Sequence, residues 1–269
     1  MIDRSTLIRL FGYRAAFIHG DLLMLDRWQF VRRFLPLTRD QRSAFDVGCG
    51  TGAFTIGAAK RGYRAVGLSW DRRNQGMAET RAAITGAHAT FPVGDARLLD
   101  SYTEHLGAYD YVLSLENIEH VIDDRKLMND LSACLKPGGW LILSAPNQLY
   151  RAIERSDDGP FSKVEDGWHV RRGYTPAMLR ELAELAGLEV EEIGYCSGFL
   201  SQKLTWILRR FGKLGWLMVL PGRVLPPLFD GLVRKLTGYP DFSITMVAYK
   251  PRYAVTNAVE APAVQAVPA

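Results

Sequence analysis

The stretch FDVGCGTGAFT, residues 45–55, follows a short apolar run and carries glycines at the alternate positions 48, 50 and 52. A strand that enters such a turn and then a helix is typical of a site for a nucleotide or nucleoside ligand. With Ala53 counted, the stretch also satisfies the G-x-G-x-x-A pattern of dinucleotide sites. The glycines alone therefore leave the ligand undecided.

Asp46, two residues before the first glycine, separates the alternatives. A dinucleotide site uses a helix N-terminus to neutralise a pyrophosphate and gains nothing from a carboxylate beside it. We expect Asp46 to face a ligand that carries positive charge. A sulfonium amino acid with an ammonium group meets that requirement.

The rest of the chain alternates short apolar runs with helical patterns, which predicts a parallel sheet covered by helices on both faces. The fold class is α/β: a doubly wound, seven-stranded, mostly parallel sheet with one antiparallel strand at its edge. The candidate strands are residues 43–47, 64–69, 88–93, 109–115, 139–145, 188–196 and 242–250.

Two helices carry clear start and stop signals. In VIDDRKLMNDLSACLKPGG an Asp caps the start, Leu127, Leu131 and Leu135 share one face, and a Pro-Gly pair ends the helix. In YTPAMLRELAELAGL, Thr175 is the expected N-cap and Gly187 the expected end.

Four further motifs follow the glycine turn in order: RAVGLSWD (64–71), VGDARLL (93–99), YDYVLSLENIEHV (109–121) and LKPGGWLILSAP (135–146). Together the five motifs resemble those of class I S-adenosylmethionine-dependent methyltransferases. The resemblance covers roughly residues 43–196 and 242–250. It implies a Rossmann-like fold and S-adenosylmethionine as the methyl donor.

The resemblance also implies cofactor-binding residues, beginning with Asp46, Gly48, Gly50 and Gly52 in the first motif. In the family, a carboxylate after the third strand accepts from the adenine amino group and the next backbone N–H donates to the ring. Asp95 and Ala96 occupy these places. Leu115, at the end of the fourth strand, completes the expected set.

One position departs from the family. The second strand usually ends in an Asp or Glu that binds both ribose hydroxyls, and this chain has Ser69 there. Asp71, two residues later, is either the N-cap of the next helix, which we favour, or a second ribose contact. Because a serine hydroxyl makes one ribose hydrogen bond where a carboxylate would bind both hydroxyls, weaker cofactor binding is expected.

The turn after the fourth strand holds Glu116, Glu119 and His120, which would share one face if the turn opened a helix. This arrangement resembles that of ubiquinone-biosynthesis O-methyltransferases, where such residues are associated with metal. Three roles stay open: the three residues bind a cation such as Mg²⁺, His120 acts as a base oriented by Glu119, or the pair is structural. His169, in GWHVRRGYT, is a further catalytic candidate or a solvent-facing histidine.

The domain prediction has four parts: an N-terminal helical cap (1–40), a methyltransferase domain (41–196 plus 241–251), a basic apolar helical insertion (197–240) and a disordered tail (252–269). The insertion has seven Lys or Arg residues against one Asp, a net charge of +6, whereas the whole chain carries +4. Its amphipathic pattern is typical either of a membrane-interface helix or of a helical cap packed on the sheet.

Composition and charge favour a cytoplasmic protein, either free or peripheral at the inner face of a membrane. Three widely spaced cysteines suit neither a disulfide framework nor a zinc cluster, and charged residues interrupt the apolar N-terminus. Nucleic acid is a poor partner, because the aromatic residues of the insertion lie within apolar runs.

The expected function is O-methylation of a small or lipid-like acceptor. Two alternatives stay open: a nucleic-acid or protein methyltransferase, and a catalytically silent cofactor-binding or membrane-associated partner. The first is disfavoured because SLENIEH, residues 114–120, stands where an Asn/Asp-Pro-Pro-Tyr motif would be expected.

Overall fold

A computed structural model describes residues 4–18, 22–219 and 221–252 of the chain. From residue 253 onward the predicted tail lies outside the described residues. Within them, helices flank a single seven-stranded sheet.

The sheet has the order β3-β2-β1-β4-β5-β7-β6, and β7 is antiparallel to both of its neighbours. The predicted fold class is confirmed. The antiparallel strand lies one place in from the edge, because β6 pairs along its outer side. The strands are β1 Ser43–Val47, β2 Arg64–Leu68, β3 Ala89–Thr90, β4 Tyr109–Leu115, β5 Leu135–Pro146, β6 Glu189–Cys196 and β7 Ser243–Tyr249.

Three helices precede the sheet, four are interleaved with its strands and two lie between β6 and β7. Short 3₁₀ segments cover residues 96–101, 103–105, 118–120, 155–158 and 221–224. The helices are α1 Arg4–Phe11, α2 Ala15–Ile18, α3 Leu22–Phe34, α4 Ala53–Ala59, α5 Arg72–Thr85, α6 Asp124–Cys134, α7 Pro176–Leu185, α8 Phe199–Val219 and α9 Leu225–Thr237.

The structure bears out most of the helix signals. The carboxylate of Asp123 caps α6 by accepting from the Lys126 N–H, and Thr175 caps α7. The expected helical position of Leu135 is wrong: α6 ends at Cys134, and Leu135 opens β5 opposite Tyr109. Pairing with β4 takes this residue into the sheet before the Pro-Gly pair is reached.

The third strand is shorter than residues 88–93. Ladder pairing with β2 covers Ala89 and Thr90, and pairing beyond them is a single bridge between Ser69 and Val93. Pro92 explains the interruption, because it has no N–H to donate to the ladder.

Both faces of the sheet are buried, as expected for parallel strands. On one face α6 and α7 pack Met128, Leu131 and Leu179 against the strands. On the other face the N-terminal helices cover α4. Phe17 and Trp28 stack there with their ring centroids 4.5 Å apart.

The parallel topology gathers the functional segments at one edge. The chain leaves β1, β2, β4 and β5 at their carboxyl ends, where loops of an open α/β sheet form ligand sites. The glycine turn, Ser69, the Glu116–His120 segment and the loop from Asn147 to Tyr174, called here the cover segment, start or end at this edge.

Two glycines of the turn provide a matched test of its geometry. Gly52 has φ +76°, and a Cβ there would lie 2.7 Å from Ala78 Cβ. Gly50 has φ +52°, but a Cβ there would meet nothing within 4 Å. Gly50→Ala should cost the left-handed backbone penalty of about 1 kcal/mol, and Gly52→Ala should add about 1–3 kcal/mol of overpacking.

Urea denaturation of the two variants measures these free energies of unfolding. Gly52→Ala should be the less stable by more than 1 kcal/mol, on the overpacking estimate of about 1–3 kcal/mol. Equal losses in the two variants would show that the described packing around Gly52 is incorrect.

Candidate functional site

The glycine turn is fixed from three sides. The N–H groups of Gly48 and Cys49 both donate to the carbonyl of Leu68 at the end of β2, at 2.9 and 3.0 Å. Asn117, after β4, presses on Gly48, where a Cβ would lie 2.4 Å from Asn117 Oδ1. Arg81 of α5 donates to the Thr51 carbonyl at 3.0 Å.

The middle of the turn faces open space. Gly50 has no heavy atom near the position of a Cβ, in contrast to Gly48 and Gly52 on either side of it. The turn therefore presents exposed backbone at the carboxyl edge of the sheet, and the glycines that the sequence predicts for cofactor binding lie together there. Such a surface fits a ligand that approaches the main chain closely.

Asp46 does not face this surface, contrary to the sequence expectation. Its side chain is buried beneath the turn, and its carboxylate accepts a 2.7 Å hydrogen bond from Thr55 Oγ1 in α4. Burial raises the pKa of Asp46 to about 6, and the hydrogen bond from Thr55 opposes that rise. Asp46 thus ties β1 to α4 from below.

Asp71 is the N-cap of α5, as favoured from the sequence. Its Oδ1 accepts from the N–H groups of Arg73 and Asn74 at 2.8 and 3.3 Å. Ser69 is buried at the end of β2, and its Oγ accepts from the Asp71 N–H at 3.4 Å.

The two oxygens of Asp95 are already engaged by Arg97. Arg97 Nε donates to Oδ1 and Oδ2 at 2.9 and 3.0 Å, and these bonds hold the pKa of Asp95 below its usual value. Arg97 also pairs with Glu165 of the cover segment at 2.8 Å. For Asp95 to accept a hydrogen bond from an adenine amino group, Arg97 would have to release or share one of the two carboxylate oxygens.

Ala96 follows Asp95 as the first residue of a 3₁₀ segment, and Leu115 is buried at the end of β4. Trp70, directly after Ser69, is 65% exposed, and the backbone of Gly167 in the cover segment approaches its ring. Sequence reasoning overlooked Trp70 and Arg97. For Trp70 the available sequence signal was an aromatic residue directly after a strand whose carboxyl end lies at the site.

Glu119, His120 and His169 form the titratable cluster of the site. Nε2 of each imidazole lies 3.9 Å from Glu119 Oε1, and the two rings meet edge to face at 4.7 Å. The Glu119 side chain has 0% exposure, and its carboxylate oxygens have no hydrogen-bond partner among the described residues. The imidazoles are 30% and 38% exposed and so face outward from the buried carboxylate.

Burial sets the proton affinities of this cluster. It raises the pKa of Glu119 well above its usual value, with the negative charge of Glu116 adding to the rise. It lowers the pKa of His169 to about 4, with His120 adding to the fall. His169 is therefore a neutral imidazole at pH 7 and able to accept a proton.

The cover segment brings His169 to the cluster. The Val170 N–H donates to the Glu119 carbonyl at 2.9 Å, and Arg171 donates to the carbonyls of Val121 and Ile122. Arg171 also forms an ion pair with Asp124 at the start of α6. His169, far away in sequence, is thereby fixed beside the segment that follows β4.

Glu116 does not join the cluster, which corrects the expected metal-binding set of Glu116, Glu119 and His120. Glu116 has φ +51° and precedes the 3₁₀ turn, so the three side chains do not share one helical face. Its carboxylate pairs with Arg27 of α3 at 3.0 Å and accepts from Ser144 Oγ at 2.9 Å. No sequence pattern indicated that Arg27 would pair with Glu116.

The donor atoms that do converge are one carboxylate and two imidazoles, from Glu119, His120 and His169. Mg²⁺ prefers an octahedral set of oxygen ligands and retains water. The cluster does not fit that preference, and the structure does not support the expected Mg²⁺ site.

The basic insertion forms α8 and α9 and the 3₁₀ turn between them. Its α8 is interrupted at Gly212, which has φ +52° and ψ −120°. Among the described residues, helix length and hydropathy do not reach what a membrane crossing demands.

Comparison with known proteins gives one family match and two sets of relatives. The family model described as "Methyltransferase domain" matches residues 19–193. The ubiquinone biosynthesis O-methyltransferase of Marinobacter nauticus is 28% identical over 156 residues, which are 56% of this chain and 66% of that protein. The enzyme of the same name from Methylobacterium nodulans is 30% identical over 165 residues, 59% and 64% of the two chains.

These matches span about two thirds of the relatives' own length. Among solved structures, a putative sarcosine dimethylglycine methyltransferase from Galdieria sulphuraria has a TM-score of 0.58 at 16% identity and 84% coverage of both chains. The [4+2]-cyclase SpnF has a TM-score of 0.57 at 19% identity, with 84% and 80% covered. Neighbours this distant establish the fold alone, and their titles name different reactions.

The buried Asp46 carboxylate predicts a specific pH dependence of stability. Its folded pKa of about 6 lies above the unfolded value near 3.9, so between these values the folded state holds a proton that the unfolded state has lost. The contribution of Asp46 to the free energy of unfolding should therefore fall as pH rises through this window.

Comparing Asp46→Asn with the natural chain isolates this effect from those of the other carboxylates. Between pH 5 and pH 7.5 the variant should gain about 1–2 kcal/mol in unfolding free energy relative to the natural chain. Denaturant melts at the two pH values measure the difference. Parallel pH profiles for the two proteins would contradict the buried, raised-pKa assignment.

Proposed function

The chain belongs to the methyltransferase-domain family as an S-adenosylmethionine-dependent enzyme, and from this premise we propose that it methylates an oxygen of a small or lipid-like acceptor. The glycine turn from Gly48 to Gly52 would hold the amino acid part of the methyl donor, with Ser69, Trp70 and Asp95 on the nucleoside side. The donor supplies a methyl group on a sulfonium sulfur, which is a good leaving group.

The cluster of Glu119, His120 and His169 carries the proposal for oxygen. Methylation of a hydroxyl requires removal of its proton, and a phenol with a pKa near 10 is largely protonated at pH 7. The imidazole of His169 would accept that proton: burial lowers its pKa to about 4, which keeps the ring neutral at pH 7 and also makes it a weaker base than free histidine. His120 offers a second imidazole beside it, 30% exposed at the site surface.

Glu119 is assigned as a positioning residue. Its Oε1 lies 3.9 Å from Nε2 of both imidazoles, and burial favours its neutral carboxyl form, so it orients the rings without supplying a standing negative charge. As the acceptor oxygen forms its bond to the methyl group, the sulfur–methyl bond breaks and S-adenosylhomocysteine is the leaving group. The hydroxyl proton passes to an imidazole and from there to solvent.

Two observations support an apolar or lipid-like acceptor. Relatives at about 28% identity carry the name ubiquinone biosynthesis O-methyltransferase, which is consistent with an oxygen acceptor of that general kind. In addition, Arg209 of α8 lies 3.6 Å from Asp157 of the cover segment. The apolar insertion is thereby linked to the segment that carries His169, and peripheral contact with a membrane through residues 197–240 is part of the proposal.

The experiment uses methyl-labelled S-adenosylmethionine and a series of phenols and catechols with alkyl chains of increasing length. The full-length chain should label the hydroxyl of at least one acceptor, with kcat/KM rising as the chain lengthens. Labelling of nitrogen alone in a matched amine series, or of nothing in either series, would overturn the proposal.

Variants of the cluster test the base. His169→Gln should lower kcat by about 10²–10⁴, the usual value of general base catalysis. Glu119→Gln should lower kcat by a smaller factor, because it changes only the group that positions the imidazoles. The affinity of both variants for S-adenosylhomocysteine should stay near that of the natural chain. His88→Gln is the control, because His88 directly precedes β3 and so lies at the amino ends of the parallel strands, whereas the cluster lies at their carboxyl ends.

The pH profile supplies a second readout for the base. A general base must be deprotonated, so activity should fall on acidification, and the midpoint for His169 should lie well below 6.5 because its pKa is about 4. If kcat in both cluster variants equals that in His88→Gln, the assignment of proton removal to this cluster is wrong.

A further inference from the structure

Helix α9 exposes an apolar stripe to solvent. Its large apolar side chains recur at intervals of three and four residues, the spacing of one helical face. Each is at least 41% exposed, which is the reverse of a helix packed on a core. They are Leu225, Leu228, Phe229, Leu232 and Leu236.

Further exposed apolar side chains lie on α8 and in the turn between the two helices. Leu214 and Met218 are 60% and 52% exposed, and Val224 is 64% exposed. Together with the α9 stripe these residues are called here the apolar face. Large contiguous apolar surfaces on a protein usually mark an interaction site.

Contacts on the opposite side of α9 hold this face outward. Asp230 Oδ1 accepts from the Leu200 N–H at 2.6 Å and so caps α8. A Cβ on Gly198 would lie 2.6 Å from Asp230 Cγ, so α9 approaches this backbone closely. Arg234 pairs with the buried Asp241 at 2.6 Å. With its polar side fixed, α9 cannot rotate to bury the apolar face.

The charge of the segment selects the occupant. Residues 197–240 carry a net charge of +6 within a chain of +4, so the rest of the chain carries −2. Two of the seven basic residues, Arg209 and Arg234, pair with Asp157 and Asp241 outside the segment. Lys203, Arg210 and Lys235 are exposed beside the apolar residues of α8 and α9. A second copy would bring two such positive segments together, whereas an anionic bilayer offers both an apolar interior and opposite charge.

We propose that the apolar face docks on the surface of an anionic lipid membrane, with α9 lying in the interface and its stripe directed toward the acyl chains. The basic residues contact the lipid headgroups. The docking proposal depends only on the residues of this surface. The further idea that a lipid-like acceptor passes from the membrane to the cluster rests on the proposed function. The link between Arg209 and Asp157 places the docked helices next to the cover segment.

Vesicle flotation of the full-length protein tests the docking. The natural chain should float with phosphatidylcholine vesicles that contain phosphatidylglycerol, and much less with phosphatidylcholine alone. Leu228→Glu combined with Leu232→Glu should reduce partitioning by roughly tenfold or more, because two apolar contacts become anionic. Lys235→Glu should reduce it by about fivefold or more, and added salt should do the same.

Leu185→Glu is the matched control: Leu185 is 58% exposed on α7, away from the apolar face. It should float like the natural chain, and thermal melts establish that all variants are folded. If the double variant floats like Leu185→Glu, the proposed surface is wrong. If it instead converts a dimer into a monomer without changing flotation, the face joins two copies and the membrane proposal is overturned.

The two proposals fail separately. A chain that methylates a soluble phenol but never floats retains the proposed methyl transfer to oxygen and loses the membrane contact with its docking surface. A chain that floats and responds to the α9 variants, but labels no acceptor oxygen, retains the docking surface and loses the function.

Discussion

The structure depends on a tight reversal of the chain between β1 and α4. Gly48, Gly50 and Gly52 all have positive φ, a conformation that side-chain-bearing residues adopt at a cost of about 1–2 kcal/mol each. Close packing around two of them fixes the turn against Asn117, Ala78 and Phe91, and the open space at the third leaves backbone exposed to a ligand. The position of every other group at the carboxyl edge is defined relative to this turn.

A second constraint at the same edge is the buried Glu119 carboxylate, around which the two imidazoles are arranged. A carboxylate without exposure or a hydrogen-bond partner among the described residues is costly to ionise, and two imidazoles lie 3.9 Å away. His169 reaches it because the cover segment bonds to the backbone of residues 119–122. The carboxylate and the two imidazoles are therefore brought together by tertiary structure from two separate segments.

The sequence was sufficient for the fold and for the residues of the turn, because strand alternation, capping and glycine spacing are local patterns. Sequence patterns did not predict the directions of side chains that depend on long-range contacts. Asp46 lies under the turn because Thr55 binds it, and Glu116 turns away because Arg27, far away in sequence, pairs with it. The exposure of the apolar side chains of α9 could not be predicted either, because an amphipathic helix has the same sequence pattern whether its apolar face is buried or exposed.

The most direct test of the central claim is a crystal structure of the chain with S-adenosylhomocysteine. We expect the homocysteine part to lie against the backbone of Gly48–Gly52 and the adenosine to point toward Trp70 and Asp95. The sulfur should face His120 and His169 with no side chain between them. A ligand bound away from Gly50, or a sulfur screened from both imidazoles, would contradict this expectation.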